Sequence, residues 1–346
     1  MSERVLVTGI TGYIASHVTA KLIGRGFRVR GTVRSAAKGR RVLDAMAHEG
    51  VDVSGVELVE ADLGADAGWA EAVADCRFVQ HIASPFPLDA PTDREALVPE
   101  ARAGAQRVLE NALSAGAERV VMTSSLAAVM GQPGRGRAKT YGETDWSDPD
   151  WPKMSAYPVS KTRAEQSAWA YVEAQGLRHR LTVVNPGLVL GPDPYQNGGA
   201  SLAAVRDMMR GDFPAVPKIA YPVIDVRDLA AIHVAAMLKP DAAGRRLLAG
   251  GQTLSFSQIA DIIGSEYPDA KLPRFEAPSW LLRLLSLGDD RIKGVLADLG
   301  HVPTVDMSYV SSLTGVIPRP AHESVIATAD ALVANAEVEA TAAGLA

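Results

Sequence analysis

Cysteine is almost absent from this chain of 346 residues. Cys76 stands alone, so no disulfide can form within the chain. A single thiol is typical of proteins that fold in a reducing compartment. Basic residues are also fewer than acidic ones, and the formal net charge is -5. This charge gives no electrostatic basis for binding nucleic acid or an anionic membrane. These two shortages argue against a disulfide-stapled secreted domain and against a nucleic-acid-binding protein.

Long apolar runs are missing as well. No stretch approaches the roughly 20 apolar residues that a membrane helix needs, and internal repeats and low-complexity linkers are absent. Met1 leads directly into the first predicted strand, so no signal peptide is expected. We therefore expect a cytoplasmic protein with no membrane or nucleic-acid partner and no metal-ligand set. A chain of this length is expected to hold one large domain and a smaller one.

What the sequence does contain is a regular alternation of strand and helix patterns. Arg4 to Thr8 is a short apolar strand that ends at Gly9, and a helical pattern starts at Gly12. Further strands are predicted at 27–33, 56–60, 77–83, 119–123 and 181–184, with helices at 38–47, 69–74, 95–115 and from Tyr157 onward. This alternation predicts an α/β fold with a doubly wound parallel (Rossmann) sheet. Ligands of such sheets bind at the carboxyl ends of the strands.

The chain divides into two predicted units. Residues 1–186 form the dinucleotide-binding domain, and 222–240 return to it as a strand and a helix. Residues 187–221 and 241–336 form a smaller α/β substrate-binding lobe. Its expected apolar anchors are Ile259, Ile262, Ile263, Trp280, Leu281, Leu284 and Leu285. The Ala-rich residues 337–346 are expected to form a frayed tail.

The run TGITGYIA joins the first strand to the first helix. Gly9 permits a sharp turn, Gly12 lets the backbone approach a ligand, and Ala15 lets the helix lie against the strand. The free N–H groups and the dipole at the helix start suit a pyrophosphate. An ordinary glycine turn is the alternative. The preceding strand, the following helix and the second strand favour a dinucleotide site.

The residues after the second strand indicate the type of cofactor. NAD-preferring folds usually carry an acid there to bond the ribose, whereas this chain has Arg34 and, one helical turn later, Lys38. A guanidinium can bind a 2′-phosphate bidentately, which favours NADPH. A solvated basic turn is the alternative. After the third strand, Asp62 could accept from the adenine amino group beside Leu63, or could instead be the N-cap of the next helix.

A catalytic set is predicted where the fifth strand ends in Thr-Ser-Ser. Tyr157 and Lys161 lie four residues apart at the start of a helix, which stacks both side chains on one face. The unperturbed pKa of a phenol is near 10. A neighbouring ammonium should lower the pKa of Tyr157 and make it a usable acid or base. A lone YxxxK is usually a surface pair, but this one follows a dinucleotide turn.

Together these motifs resemble the extended short-chain dehydrogenases/reductases. The chain is most similar to the group of dihydroflavonol reductases, cinnamoyl-CoA reductases and microbial NADPH-dependent aldehyde and ketone reductases. The stretches that carry the resemblance are TGITGYIASH, RGTVR at 30–34, Asp62-Leu63, HIASPF at 81–86, VMTSS at 121–125, ETDWSDP at 143–149, YPVSKTRAEQSAW at 157–169, NPGLVLGP at 185–192 and VIDVRDLAAIH at 223–233. The resemblance covers about residues 3–270 and is weak beyond them.

The resemblance implies a role for each matching residue. Ser125 would hold the substrate carbonyl oxygen, with Ser124 as the alternative. Tyr157 would protonate that oxygen, and Lys161 would lower the pKa of Tyr157 and bond the nicotinamide ribose. The remaining cofactor contacts would be Gly9, Thr11, Gly12, Tyr13 and Ile14 at the pyrophosphate; Arg34 and Lys38 at the 2′-phosphate; Asp62 and Leu63 at the adenine; and Ala83, Ser84, Pro186, Leu188 and Ser201 around the nicotinamide half.

Two departures from the plant enzymes bear on the substrate. Met130 stands where dihydroflavonol reductases have Asn, and 153–156 replaces the aromatic, cysteine-containing run of cinnamoyl-CoA reductases. Neither plant substrate is therefore supported. An apolar pocket wall is expected, although plain core packing is an equal alternative for its members, which are Phe86, Met130, Leu188, Met208, Met209 and Phe213.

The predicted activity is NADPH-dependent reduction of an aldehyde or ketone, a small-molecule substrate, by a monomer or homodimer. Three rivals stay open. A sugar-nucleotide epimerase or dehydratase would commonly keep the acid after strand two and retain its cofactor. A hydroxysteroid dehydrogenase would differ in pocket volume. A non-enzymatic dinucleotide sensor would tend to lose the Tyr and Lys, which are both present.

Overall fold

The computed structural model describes residues 3–84, 91, 93–288 and 290–338. The strands are β1 (Arg4–Val7), β2 (Arg28–Val33), β3 (Glu57–Glu60), β4 (Phe78–His81), β5 (Arg119–Thr123), β6 (Ala138–Tyr141), β7 (Leu181–Pro186), β8 (Leu188–Leu190), β9 (Val216–Pro217), β10 (Ala220–Asp225), β11 (Arg246–Ala249), β12 (Thr253–Ser255), β13 (Glu276–Ala277) and β14 (Val302–Val305).

The helices lie between these strands. They are α1 (Tyr13–Ile23), α2 (Ala36–His48), α3 (Trp69–Val73), α4 (Val98–Ser114), α5 (Ala127–Met130), α6 (Ala156–Ala174), α7 (Ala200–Arg210), α8 (Val226–Leu238), α9 (Phe256–Glu266), α10 (Ser279–Leu285), α11 (Asp290–Val295), α12 (Ser308–Thr314) and α13 (Ala321–Ala334). Short 3-10 turns occupy Arg178–Arg180, Pro240–Ala242 and Leu296–Asp298.

Seven strands form one parallel sheet in the order β11-β7-β5-β4-β1-β2-β3. This confirms the predicted doubly wound sheet. The central strands are short apolar runs because helices cover both faces of the sheet. The carboxyl ends of β1, β2, β4, β5 and β7 meet at one edge, where the predicted site residues follow them.

Each face of the sheet has its own core. Val5 and Val7 of β1 pack with α1 and α8 on one face. Leu6, which points the other way because side chains alternate along a strand, packs with α4 and α6. The site edge is therefore fixed from both sides by buried helices.

The smaller lobe has a separate core of its own. Leu190 and Met208 pack there with Ile259, Ile263 and Leu332, which brings α7, α9 and the C-terminal helix α13 together. Among the expected anchors, Trp280, Leu284 and Leu285 are exposed, with 67, 58 and 48 % of their surface accessible. The expectation was wrong for these three, because α10 presents their side chains outward, but it is confirmed for Ile259 and Ile263, which are buried in this core.

Two strands differ from the sequence-based division. β11 pairs with β7 at the edge of the main sheet, although 241–336 were assigned to the smaller lobe. β10 pairs with β8 and β12 in a separate three-stranded sheet, and only α8 returns to pack against α1, β5 and β7. Gly187 permits this arrangement, since a Cβ there would collide with the carbonyl oxygen of Pro222.

The end of the described chain is anchored rather than frayed. Val338 is buried in the core of the smaller lobe, and the carbonyl oxygen of Glu337 accepts from Nε of Arg210 at 2.7 Å. The expectation of a frayed tail at 337–346 was therefore wrong for Glu337 and Val338, and residues 339–346 lie outside the described residues. Across the described chain, no helix combines the length and the apolar character needed to cross a lipid bilayer.

Candidate active site

The turn after β1 is shaped for close approach. Gly9 has a φ of 63°, and a Cβ at this position would lie only 2.9 Å from the Cβ of Ala83. Its N–H donates to Oγ1 of Thr32 at 2.9 Å. A side chain would push the turn off the end of β4, so the geometry requires glycine.

Helix α1 starts with its N–H groups uncapped. Gly12 is the N-cap, no side chain in the described part of the chain bonds to this helix end, and the first turn carries no acid. The Tyr13 side chain is buried, and burial, with Asp193 and Asp225 nearby, raises the pKa of its phenol. Tyr13 and Ile14 can therefore meet a pyrophosphate through their backbone N–H groups. Thr11, in the same turn, is half-buried.

The end of β2 carries the two predicted cations in solvent. Arg34 and Lys38 are exposed, and neither forms a hydrogen bond or an ion pair with any residue that the structure describes. The fold also brings an acid here that sequence reasoning missed. Glu60, at the end of β3, accepts from the N–H of Ala36 at the start of α2, at 3.1 Å. It was missed because it comes from the neighbouring strand.

Asp62 and Leu63 follow β3 on the surface of the cleft. The carboxylate of Asp62 accepts from the N–H of Gly64 at 2.7 Å, and helix α3 has Gly68 as its N-cap. The N-cap alternative for Asp62 was therefore wrong. Leu63 is half-buried, and a Cβ added to Gly104 of α4 would lie 3.2 Å from its Cβ. Adenine contact by this pair stays a prediction.

The three predicted catalytic side chains come together. Tyr157 and Lys161 occupy the first turns of α6, and Ser125 follows β5. The Ser125 hydroxyl lies beside the Tyr157 phenol, where it favours the ionised form and so lowers the phenol pKa. Nζ of Lys161 lies 5.8 Å from the centre of the Tyr157 ring and donates to Oγ of Ser84 at 2.8 Å. Ser125, Tyr157, Lys161 and Ser84 thus lie next to one another in this order.

The two serines after β5 have different partners. Ser124 is buried, and its hydroxyl donates to Oε2 of Glu165 at 2.6 Å. Ser125 is half-buried and has its hydroxyl beside the phenol. Of the two, only the Ser125 hydroxyl is placed next to Tyr157. This supports Ser125 over Ser124 as the group for a substrate oxygen.

The electrostatics differ from the expectation for Tyr157. Burial raises the pKa of the phenol, and the hydrogen bond from Ser125 opposes this shift. Burial also lowers the pKa of Lys161 to about 8, against the attraction of Glu165. The expected lowering of the Tyr157 pKa by Lys161 is not found, because desolvation of both side chains outweighs their attraction across 5.8 Å.

The predicted nicotinamide contacts lie on different elements and differ in burial. Pro186 is buried at the end of β7, and its carbonyl accepts from the N–H of Leu126 at 2.9 Å. Leu188 is half-buried at the start of β8. Ser201 lies in the first turn of α7. The N-cap of α7 is Gly199, and a Cβ added there would lie 3.6 Å from the Cβ of Tyr13. The starts of α1 and α7 are thereby brought together.

Most of the predicted pocket wall is core. Met130 packs in a buried cluster with Tyr141, and Met208 and Met209 belong to the core of the smaller lobe. Phe213 is 40 % exposed, and Phe86 lies outside the described residues. The alternative of plain core packing therefore holds for the three methionines.

These features fit a nicotinamide dinucleotide. The glycine at Gly9 keeps a cradle open that a Cβ would fill, and the uncapped start of α1 offers N–H donors to phosphate. Arg34 and Lys38, at the end of β2, supply two cations whose side chains have no partner among the described residues. Lys161 and Ser84 stand at the opposite end, beside the phenol.

Similarity to known proteins agrees with this geometry. A ketoreductase of Aspergillus niger, azaE, is 30% identical over 296 residues, which cover 80% of this chain and 87% of that protein. Cinnamoyl-CoA reductase 2 of Arabidopsis thaliana is 34% identical over 274 residues, covering 78% and 79%. These relatives confirm the predicted oxidoreductase and the resemblance to extended short-chain dehydrogenases/reductases.

The fold has a solved counterpart of nearly full length. The yeast methylglyoxal/isovaleraldehyde reductase Gre2, complexed with NADPH, superposes with a TM-score of 0.79 at 26% identity and covers 97% of this chain and 100% of its own. The predicted dinucleotide cofactor is confirmed at the level of the family. The model of the NAD dependent epimerase/dehydratase family matches residues 5–250, which contain the glycine turn and the whole catalytic cluster. The chain therefore belongs to that family.

Proposed function

We propose that this protein is an NADPH-dependent carbonyl reductase that converts a small aldehyde or ketone into an alcohol. The observation that carries the proposal is the placement of the Ser125 hydroxyl and the Lys161 ammonium beside the Tyr157 phenol, next to a dinucleotide cradle. NADPH supplies the hydride to the carbonyl carbon when it is bound.

The side chains of the protein handle the oxygen and its proton. Ser125 donates a hydrogen bond to the carbonyl oxygen and polarises it, which stabilises the negative charge that grows there. Tyr157, whose pKa is raised by burial, is protonated near neutral pH and can deliver its proton to that oxygen. Lys161, linked to Ser84, keeps a positive charge beside the phenolate that results.

The cofactor preference rests on the end of β2. Arg34 and Lys38 have no other partner in the described part of the chain, so both can meet a 2′-phosphate. Glu60 stands nearby and would oppose a phosphate, which limits the preference for NADPH over NADH.

The test is to follow oxidation of NADPH by the purified protein against aldehydes, ketones and nucleotide-sugars, with product analysis. We expect stoichiometric alcohol from at least one aldehyde or ketone and no turnover of nucleotide-sugars. Purified protein that carries tightly bound NAD and interconverts a nucleotide-sugar would contradict the proposal and would favour the epimerase alternative.

A further inference from the structure

A buried carboxylate lies directly behind the catalytic cluster. Glu165 is 0 % exposed and sits on α6, one turn after Lys161 and two turns after Tyr157. The spacing of four residues places all three side chains along one face of the helix. The proposed mechanism gives Glu165 no role, although an unpaired charge in such a place would be costly.

Four donors converge on this carboxylate. Oε2 accepts from the Ser124 hydroxyl at 2.6 Å and from Nδ2 of Asn185 at 2.7 Å. Oε1 accepts from Nε of Arg246 at 2.6 Å and, more weakly, from Nε1 of Trp169 at 3.3 Å. Both oxygens of the carboxylate are therefore hydrogen-bonded inside the protein.

Three of these donors come from neighbouring strands, and Trp169 lies on α6 itself. Ser124 follows β5 and precedes Ser125, Asn185 lies near the end of β7, and Arg246 begins β11. Nδ2 of Asn185 also reaches the carbonyl oxygen of Ser125 at 3.2 Å. One carboxylate thus ties the helix that bears Tyr157 and Lys161 to the strand end that bears Ser125.

Arg246 is itself held in a fixed position. Its side chain is 6 % exposed, its guanidinium stacks 3.7 Å from the centre of the Trp146 ring, and NH1 donates to the carbonyl oxygens of Glu143 and Asp145. Buried ion pairs are often no more stabilising than apolar side chains of similar volume. Stability alone therefore does not explain why this ion pair is present, whereas a role in positioning does.

We propose that Glu165 is a positioning residue for the candidate reaction. Through Ser124, Asn185 and Arg246 it holds Ser125, Tyr157 and Lys161 in one fixed arrangement, and its charge stabilises the Lys161 ammonium. This inference deepens the proposed function and rests on it for its catalytic consequence, but the effect on Lys161 can be measured without any substrate.

Few other charged groups face Lys161. Tyr157 and Glu165 share its helix, and His81 comes from β4, where burial and the nearby ammonium lower its pKa to about 3 and leave it neutral. The helix α4, which packs on α6, contributes Ala101 and Ala105 to the small cavity of about 20 Å³ beside Lys161. In the described part of the chain, Glu165 is thus the acid that acts on this ammonium.

Two double variants separate the two roles of Glu165. E165L/R246M removes the ion pair and the hydrogen bonds to Ser124 and Asn185. E165Q/R246M removes the same charges, but its amide can still accept from Ser124 and Asn185. Changing both partners avoids leaving a buried arginine unpaired, which would destabilise the fold for trivial reasons.

A matched control lies at the other side of the sheet. Arg30 of β2 is 10 % exposed at its side chain, pairs with Glu57 at 2.8 Å, and also donates to backbone carbonyl oxygens. Glu57 is 37% exposed and also pairs with Arg4 and Arg28. E57Q/R30M therefore removes an arginine–glutamate pair and backbone carbonyl bonds of a buried arginine away from Ser125. We expect it to keep the wild-type kcat.

The measurements are steady-state kinetics at pH 6.5, thermal unfolding and NMR titration of Lys161 in lysine-labelled protein. We expect E165L/R246M to lose roughly 10- to 100-fold in kcat with the NADPH KM changed by less than about 3-fold. E165Q/R246M should recover most of kcat, while the titration midpoint of Lys161 falls by roughly 1 pH unit.

Each outcome decides the inference. Folded E165L/R246M with the wild-type kcat would overturn the positioning role, and an unchanged Lys161 midpoint in E165Q/R246M would overturn the electrostatic one. If E165L/R246M does not fold, the kinetics and titration of E165Q/R246M decide alone. If wild type reduces no carbonyl, the proposed function fails, and the Lys161 titration still accepts or rejects the action of Glu165.

Discussion

The two ends of the cleft are built in different ways. At the end of β2, Arg34 and Lys38 stand in solvent and contact no partner in the described residues. At the ends of β4 and β5, Ser84, Lys161 and Tyr157 form a line of contacts with a buried carboxylate behind it. The first end can change without disturbing the fold, whereas the second rests on the buried Ser124 and Glu165.

This difference assigns the two ends different tasks. Charges in solvent are screened by salt, and ordering their side chains costs entropy. The end of β2 can therefore discriminate between cofactors by a modest difference in binding free energy. The catalytic end, which Glu165 supports from behind, has the fixed geometry that proton transfer and oxyanion stabilisation require. Substitutions at the two ends should therefore change different kinetic parameters.

The largest effect is expected at Tyr157. Tyr157→Phe keeps the ring and its packing but removes the proton donor, so kcat should fall by roughly 10²- to 10⁴-fold. NADPH affinity, measured by fluorescence titration, should change little. A variant that keeps half of the wild-type rate with its best carbonyl substrate would mean that the proton comes from another group.

The two serines offer the next test. Ser125→Ala should lower kcat by roughly 10²- to 10³-fold, the usual loss for one oxyanion donor. Ser124→Ala should cost less in kcat but more in stability, because it leaves Glu165 short of a buried donor. Parallel kinetics and thermal unfolding of both variants check this. The reverse ranking in kcat would assign the substrate oxygen to Ser124.

A smaller effect is expected at the exposed end. Hydrogen bonds to charged groups contribute roughly 1.5–3 kcal/mol, and exposure favours the lower end of that range. Arg34→Ala should therefore raise the NADPH KM by about 10- to 100-fold. Its thermal midpoint should stay at the wild-type value, because no described residue bonds to Arg34. Glu60→Gln, which removes the opposing acid, should instead lower the NADPH KM.

The smallest effect concerns stability at Lys161. Because burial lowers the pKa of Lys161 to about 8, the ammonium destabilises the folded state below that pH, and the penalty is relieved as pH rises towards the usual 10.5. Lys161→Met should then raise the thermal midpoint at pH 7 by on the order of 1–3 °C, while it lowers kcat. The gain should vanish as pH rises through the interval from about 8 to 10.5. A lower midpoint at pH 7 would mean that the Ser84 hydrogen bond outweighs desolvation.

Local patterns predicted the parts of the molecule that local forces determine. The glycine turn, the first five strands and the pairing of Tyr157 with Lys161 follow from apolar runs, glycine and helical spacing. The ionisation of Tyr157 did not follow, because the desolvation of a phenol depends on everything that covers it.

The missed features depend on residues that are distant in sequence. β11 begins with Arg246, a charged residue that no strand pattern favours, and its burial depends on Glu165, 81 positions earlier. Glu60 reaches the start of α2 only because β3 pairs with β2. The position of Met130 after Ser125 suggested a pocket wall, but α5 directs its side chain into a buried cluster.

The division of labour between the two ends is tested most directly by one comparison: kcat/KM for NADPH and for NADH, with a single carbonyl substrate, in wild type, Arg34→Ala and Tyr157→Phe. The account predicts that wild type prefers NADPH, that Arg34→Ala loses activity with NADPH alone, and that Tyr157→Phe loses activity with both cofactors by the same factor. A wild type that prefers NADH, or an Arg34→Ala variant whose NADPH-to-NADH ratio does not move, would contradict it.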